Sequence, residues 1–409
     1  MINAGDTAWV LISTALVMLM TPGLAFFYGG MVRRKNILGI LMQCFIILCA
    51  LSLQWVLFGY SLSFHPGSGF WGGFGWLGLR GVGLEPYADY AATIPHQAFM
   101  IFQAMFAIIT PALIIGAFAE RMKFSAFLVF TLLWATFVYD PVCHWVWGMG
   151  GWLRNLGALD FAGGTVVHIN AGIAALVTAI VIGRRKNLDH NAPAPHSLPF
   201  VVLGTSLLWF GWFGFNAGSA LAANGLAVNA FVVTNTAAAA AGLSWALIEW
   251  IHNGKPTMFG AASGAVAGLV AITPASGFVS VVPAIVIGIM VSVFCFIAVS
   301  MIKPRLRYDD SLDAFGVHCV GGIWGALATG LFASKAVNAA GSNGLFFGNP
   351  KLFLVQLYAV AITLAYTSIV TFVIYKVVDL IFGMRVGEKE ELIGLDLTQH
   401  RERAYTILE

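Results

Sequence analysis

The chain has 409 residues, of which 59% are hydrophobic and only 10% are charged. An average soluble domain carries about 25% charged residues, so the composition excludes a soluble protein and predicts an integral membrane protein. The formal net charge is only +3, and Lys and Arg do not form the basic patch that nucleic-acid binding needs. No nucleic-acid partner is therefore expected.

Eleven apolar runs are candidates for transmembrane helices, since a helix needs about 20 apolar residues to cross the hydrocarbon core. In chain order they cover residues 8–32, 37–62, 97–119, 124–143, 163–183, 198–218, 229–251, 258–275, 279–302, 315–334 and 352–383. The first run is followed, not preceded, by basic residues, which predicts a span with its amino terminus outside and no cleaved signal peptide.

The distribution of basic residues supports this topology. Cytoplasmic loops of membrane proteins are enriched in Lys and Arg, and eleven spans with an outer amino terminus place the carboxyl-terminal tail in the cytoplasm. This topology puts 17 of the 21 basic residues inside and four outside. The inner ones are Arg33, Arg34, Lys35, Arg121, Lys123, Arg184, Arg185, Lys186, Lys255, Lys303, Arg305, Arg307, Lys376, Arg385, Lys389, Arg401 and Arg403; the outer ones are Arg80, Arg154, Lys335 and Lys351.

A polar, proline-containing connector divides the spans into two halves of five, with one span left over. Because each half has an odd number of spans, the two halves must lie in opposite orientations in the membrane. This is the inverted-repeat plan common among transporters. The predicted units are a first half (1–183), a cytoplasmic connector (184–197), a second half (198–334), the eleventh helix with its preceding loop (335–384) and a cytoplasmic tail (385–409).

Two histidines occupy equivalent positions in this plan. His168 follows Asp160 by eight residues in the fifth span, and His318 follows Asp310 by eight residues in the tenth. Eight helical residues rise about 12 Å, close to half of the roughly 30 Å hydrocarbon core. Both imidazoles should therefore reach the membrane midplane from opposite sides, where they can meet.

Each of these residues also has a simpler interpretation. The histidines are either a functional pair or two unrelated side chains satisfied by neighbouring groups, although ionisable residues inside a membrane are usually functional. Asp160 either caps the free amides at the start of its helix or contacts a ligand directly. Two histidines without a third ligand make a poor zinc site, so neither a metal nor another cofactor is expected.

The sequence resembles the Amt/Mep/Rh family of ammonium transporters over nearly its whole length. The segment "DFAGGTVVHINAGIAALVTAIVIGRR", residues 160–185, looks like the family signature. Further matches are "TPGLAFFYGGMVRRKN", "GAFAERMKF", "WFGWFGFNAGSAL", "FGVHCVGG" and "GLDLTQHRERAY". The resemblance implies a homotrimer in the plasma (inner) membrane, with a separate pore in each subunit, and no enzymatic activity.

The resemblance also assigns roles to individual residues. It implies an outer recruitment site for ammonium at Phe106, Trp147 and Ser219, and a gate of two stacked rings at Phe106 and Phe215. The remaining implied positions are the pore-lining His168, His318 and Trp212 and the essential Asp160.

The expected solutes are ammonium or ammonia, with methylammonium as an analogue, and the expected environment is membrane lipid. By resemblance, the cytoplasmic face should bind a PII signalling protein. Ordinary positive-inside topology explains the basic residues of that face without any partner. Three alternatives stay open: a Rh-like neutral gas channel, an ammonium sensor that signals through a bound partner, and an intramembrane redox enzyme.

Overall fold

The chain folds into a bundle of long apolar helices. The structure, a computed structural model, describes residues 1–186, 188 and 194–405, and this part of the chain contains no β-strand. Ten of its helices are long and apolar enough to cross a membrane. They are α1 (Ala4–Met31), α2 (Arg34–Phe64), α3 (His96–Phe118), α4 (Phe124–Leu156), α5 (Gly164–Ile182), α6 (Leu198–Gly218), α7 (Gly225–Asn253), α9 (Val281–Leu306), α10 (Phe315–Phe332) and α11 (Pro350–Phe382).

The predicted eighth span forms the shorter helix α8 (Met258–Ile272) of 15 residues. A helix of this length rises only about 22 Å, less than the hydrocarbon thickness. The all-helical multi-span fold is confirmed, whereas the count of eleven crossings and the side of each terminus stay predictions. Helix α4 is longer than the predicted 124–143 because it continues through Trp147, turns, and resumes at Trp152–Leu156.

The most extensive contacts between the two predicted halves are those of α1 along α6 and of α5 against α10. The connector between the halves lies partly outside the described residues, at 187 and 189–193, so the boundary 184–197 stays a prediction. One described connector residue differs from the expected exposed loop. Arg185 is only 7% exposed because it enters an ion-pair network.

That network ties together the ends of several helices on the basic side of the bundle. Arg185 pairs with Asp309 at 2.8 Å and with Glu120 at 3.1 Å, and Glu120 also pairs with Arg33 at 2.8 Å. Arg121 lies 3.7 Å from Asp309. Burial acts to raise the pKa of the Asp309 carboxyl, but Arg121 and Arg185 overcome it and lower the pKa to about 2. The carboxylate therefore stays charged at neutral pH.

The carboxyl-terminal tail lies against the same side through two short helices, α12 (Glu388–Ile393) and α13 (Leu395–His400). Glu391 accepts a hydrogen bond from the backbone amide of Lys186 and pairs with Arg385 at 2.8 Å. Asp396 accepts from the backbone amide of Gly39 at 2.9 Å. The described part of the tail is thus bound to the start of α2 and to the loop that follows α5.

Candidate functional site

Asp160 holds the first of the two histidine-bearing segments. Its Oδ1 accepts hydrogen bonds from the backbone amides of Gly163 and Gly164 at 2.8 and 2.7 Å, and its Oδ2 accepts from Thr165 and Val166 at 2.8 and 3.1 Å. Burial raises the pKa of this carboxyl, while the four hydrogen bonds act in the opposite direction. The four amides are those that a helix start leaves without partners, so the geometry supports the capping interpretation.

Asp310 repeats this arrangement in the second half. Its two carboxylate oxygens accept from the amides of Ala314 and Phe315 at 3.1 and 2.8 Å. Burial raises the pKa of Asp310 to about 6, with the nearby Lys303 acting against the rise. Both carboxylates thus start a helix whose first turns carry the histidine.

Both segments are π-helical, Gly164–Ile169 in α5 and Phe315–Cys319 in α10. Single π-turns inside helices often occur at functional sites. Helices α5 and α10 cross at Gly172 and Gly322, which follow His168 and His318 by four residues each. A Cβ on Gly172 would lie 2.3 Å from the amide nitrogen of Cys319, and a Cβ on Gly322 would lie 3.0 Å from Ile169. Only glycine allows this close approach of the two backbones.

The crossing brings the two histidines next to each other. The rings of His168 and His318 are stacked, with centroids 5.4 Å apart and an angle of 13° between their planes. Both nitrogens of His168 and Nδ1 of His318 are buried without a hydrogen-bond partner among the residues that the structure describes. A neutral imidazole offers one donor and one acceptor, so the pair presents unused hydrogen-bonding capacity to a small polar molecule.

Aromatic rings continue the stack beyond His168. Trp212 lies parallel to His168 at 5.3 Å, and its indole nitrogen donates to Thr273 at 2.8 Å, which fixes the ring. Phe215 lies 6.0 Å from His168 on the same side and 4.4 Å from Phe106. The two phenylalanines expected to form a gate are therefore in contact.

The residues expected to recruit the solute lie next to this pair. Trp147 packs edge-on against Phe106 at 5.8 Å, and its indole nitrogen donates to the carbonyl oxygen of Asp160 at 2.8 Å. The hydroxyl of Ser219 donates to the carbonyl oxygen of Phe215 at 2.8 Å. Because that bond uses the hydroxyl proton, the serine oxygen keeps lone pairs that can accept a further hydrogen bond.

A row of three cavities runs from Phe215 towards the basic side. The first, of about 10 Å³, lies between Phe215, Trp212 and the two histidines. The second, also of about 10 Å³, lies beyond His318 and reaches Asp313. Each is near the lower limit for holding one water molecule. The third is a vestibule of about 710 Å³ that also reaches Asp313.

Several residues of this region were not anticipated from the sequence. Gly172 and Gly322 had a visible signal, because each half repeats the spacing of a histidine followed by a glycine four positions later. Thr273, which holds Trp212, and the apolar wall formed by Phe27 and Val266 had no such signal. They come from helices whose contact with the histidines depends on the tertiary fold.

Fold and site together define a multi-pass helical membrane protein in which two related segments bring one histidine each to a small, mostly apolar buried cavity. The family model described as "Ammonium Transporter Family" matches residues 8–405. The chain belongs to this family. It is accordingly a membrane transport protein and not an enzyme.

Individual relatives support the assignment. The chain is 57% identical over 401 residues to a protein of Bacillus subtilis named "Ammonium transporter", with 98% of both chains covered. It is similar to the crystal structure of Saccharomyces cerevisiae Mep2, with a TM-score of 0.89 and 38% identity over 95% of this chain and 89% of that one. A solved structure described as "Sensor Amt Protein" gives a TM-score of 0.89 at 30% identity, covering 97% and 98%.

Proposed function

We propose that this protein transports ammonium across the plasma membrane by recruiting the cation outside, removing a proton and conducting ammonia past the histidine pair. The observation that carries the proposal is the row of cavities that runs from Phe215 past His168 and His318 to Asp313. Its two inner spaces have room for a molecule of about the size of water. Family membership supports ammonium as the solute.

Recruitment is the first step of the proposed mechanism. A small cation is attracted to an aromatic face by about 0.5–2 kcal/mol, and Trp147 and Phe106 provide such faces. Ser219 adds a hydroxyl oxygen that can accept an N–H bond, because its own proton is bonded to Phe215. Attraction of this size is weak enough to allow rapid release inward.

Selectivity then follows from the apolar wall of the passage. Moving a bare charge out of water costs several kcal/mol even after relaxation, and the first cavity is lined by residues such as Leu24, Phe27 and Val266. Potassium cannot lose its charge, whereas ammonium can give up a proton and continue as ammonia. The imidazoles of His168 and His318 supply a donor and an acceptor to the neutral molecule.

Electrophysiology on a solid-supported membrane, with the full chain in proteoliposomes, tests this mechanism. Ammonium and methylammonium should give currents and potassium none. Ser219→Ala should weaken the apparent affinity by roughly 10- to 150-fold, the equivalent of the 1.5–3 kcal/mol that a hydrogen bond to a charged group contributes, and leave the maximal flux nearly intact. Ser206→Ala, on the exposed side of the same helix, is the matched control. Equal currents for potassium and ammonium would refute the apolar-pore mechanism.

A sensing role is the second candidate, favoured by the similarity to the structure described as "Sensor Amt Protein" and by the tail bound to the inner loops. A neutral gas channel differs from both because it would move only the uncharged molecule. Charge movement on ammonium addition distinguishes the transporter from the gas channel. A chain that binds ammonium without flux of either species would support the sensor.

We further propose that the chain assembles as a homotrimer and that its basic face binds a trimeric PII protein. The vestibule of about 710 Å³ opens at this face and is lined by charged residues such as Arg184 and Arg307, and the tail lies at the same face. A pull-down with the host's PII protein, with and without ATP and 2-oxoglutarate, tests the partner. Absence of binding in every nucleotide state would refute it, and the mass of the purified particle tests the trimer.

A further inference from the structure

Both ring nitrogens of His144, a buried residue of α4, face backbone carbonyl oxygens. Nδ1 lies 2.9 Å from the carbonyl oxygen of Ser63, in the last turn of α2, and Nε2 lies 2.8 Å from that of Ser68, in the loop that follows α2. The side chain is fully buried. A carbonyl oxygen only accepts hydrogen bonds, so each of the two contacts needs an N–H group on the ring.

The other histidines within the described ranges do not have this arrangement. His96 is also buried, but its Nε2 faces the hydroxyl of Tyr60 at 2.6 Å. His196 likewise has a hydroxyl, that of Tyr405, at one of its two nitrogens. A hydroxyl can donate as well as accept, so a neutral ring satisfies both of these sites. A neutral ring at His144 would instead place a nitrogen lone pair against a carbonyl oxygen at 2.8 or 2.9 Å.

A buried carboxylate lies one helical turn before His144. Asp140 is fully buried, and its two oxygens accept hydrogen bonds from the amide of Gln54 at 2.9 Å and from the hydroxyl of Ser63 at 3.2 Å. Within the described part of the chain it pairs with no Lys or Arg. Ser63 therefore bonds to both residues, through its hydroxyl to Asp140 and through its carbonyl to His144. Buried charges are normally paired, and a carboxylate linked to an imidazolium in this way leaves no net charge.

The position of His144 in its helix also favours a positive charge. The helical stretch Asp140–Trp147 is followed by Gly148, and His144 lies in its last turn. The carboxyl end of a helix stabilises a cation because its free carbonyl groups carry partial negative charge. Helix position and hydrogen-bond geometry therefore favour the same protonation state.

The remaining ionisable groups around His144 do not offer a better partner. Asp160 accepts from four backbone amides, and Arg154 donates to the carbonyl oxygen of Trp147 at 2.7 Å. His65 bonds to the carbonyl oxygen of Pro66. The neighbours that are ordinarily uncharged at neutral pH are Tyr90, Tyr139 and Cys143. Asp140 is therefore the carboxylate that matches a charge on His144.

We propose that His144 is a buried imidazolium, balanced by Asp140, and that it is a positioning residue for Trp147. Its two hydrogen bonds fasten the end of this helical stretch to Ser63 and Ser68. Trp147 follows three residues later, and its indole nitrogen donates to the carbonyl oxygen of Asp160 at 2.8 Å. A neutral ring would lose one of the two bonds, so the turn that carries Trp147 would be held by fewer contacts. The role in recruitment rests on the proposed function, whereas the protonation of His144 does not.

Solid-state NMR of the full chain in proteoliposomes, with isotope-labelled histidine nitrogens, reads this protonation directly. An imidazolium carries a proton on both nitrogens, whereas a neutral ring has one bare nitrogen with a distinct resonance. An exposed histidine with the usual pKa of about 6.5 is almost entirely neutral at about pH 8. The parental protein should keep an imidazolium signal at that pH, and His144→Gln should remove it.

Asp140→Asn is the second test, because it removes the balancing charge but keeps the shape of the side chain. This variant should also lose the imidazolium signal at about pH 8. His96→Gln is the matched control, since it removes another buried histidine and should leave the signal unchanged. Absence of the signal in the parental protein would overturn the proposal, and so would a signal that persists in His144→Gln or in Asp140→Asn.

Currents on a solid-supported membrane measure the effect on recruitment. His144→Gln should weaken the apparent affinity for ammonium about 2- to 30-fold, the range of a single cation–π contact, and leave the maximal flux nearly intact. An unchanged affinity would overturn the positioning role. Equal currents for potassium and ammonium in the parental protein would instead refute the proposed function, and the NMR signal would still decide the charge of His144.

Discussion

The two histidine-bearing segments begin at equivalent aspartates that hold them differently. Asp160 accepts four backbone hydrogen bonds, whereas Asp310 accepts two. Asp310 also lies near the cation Lys303, and its neighbour Asp309 belongs to the ion-pair network on the basic side of the bundle. The first segment is therefore fixed mainly by its own amides, and the second is fixed to the charged side of the protein.

The two imidazoles also differ in how enclosed their surroundings are. The ring of His168 lies nearly parallel to those of Trp212 and His318, and both of its nitrogens are buried. His318 lines both small cavities, and the second of them also reaches Asp313. The same local backbone plan, used in both segments, thus leaves His318 beside more cavity space than His168.

The largest expected effect is a difference in stability between the alanine variants of the two aspartates. Asp160→Ala leaves four amides without their acceptor, and each buried unsatisfied donor costs about 1–3 kcal/mol. Asp310→Ala leaves two amides without their acceptor. The apparent unfolding temperature of the purified protein should therefore fall more for Asp160→Ala, with Asp160→Asn intermediate because one acceptor oxygen remains. Equal losses for the two alanine variants would contradict the difference in capping.

The second prediction concerns the histidines as a pair. His168→Ala with His318→Ala should lose most ammonium flux, and the single and double changes should be non-additive because the rings are in contact. An acidic side chain attracts cations into the passage, so His168→Asp or His318→Glu should conduct but also admit potassium. Proteoliposome currents measure both. Parental flux and potassium exclusion in the double alanine variant would make the histidines structural.

The third prediction uses the two glycines at the crossing. In Gly172→Ala the new methyl group would meet backbone atoms of Cys319 at 2.3 Å, whereas in Gly322→Ala its nearest neighbour is a side-chain carbon at 3.0 Å. Overpacking costs about 1–3 kcal/mol, and a side chain yields more easily than a backbone. Thermal unfolding should show Gly172→Ala as the less stable variant. The reverse order would mean that the crossing is looser than its geometry indicates.

The smallest expected effect is a pH dependence from Asp310. Burial raises the pKa of its carboxyl from 3.8 to about 6. Between these two pH values the folded state therefore keeps a proton on the carboxyl that the unfolded state has already released. Stability from this group is then full below about pH 4 and declines as the pH rises to about 6. Asp310→Asn should lack this part of the decline in unfolding temperature. An unchanged profile in that variant would assign the decline to other groups.

Sequence alone indicated the features that depend on spacing and composition. The apolar runs predicted a multi-span helical membrane protein, and the family resemblance predicted the family; both are confirmed. The equal spacing of Asp160 from His168 and of Asp310 from His318 predicted that the two rings could meet, and they are in contact. The roles carried over for Phe106, Trp147, Ser219, Phe215 and Trp212 stay predictions.

Only the tertiary structure decided how these parts are held. Helical periodicity places a histidine at a given depth, but it does not specify which ring faces which. The stacking of His168 on His318 depends on the crossing of α5 and α10 at Gly172 and Gly322. Likewise, hydropathy marked Arg185 as a loop residue, and its burial with Asp309 and Glu120 follows from partners 124 and 65 residues away in the chain. Composition and periodicity act over a few helical turns, whereas these contacts join distant segments, so only the folded chain could reveal them.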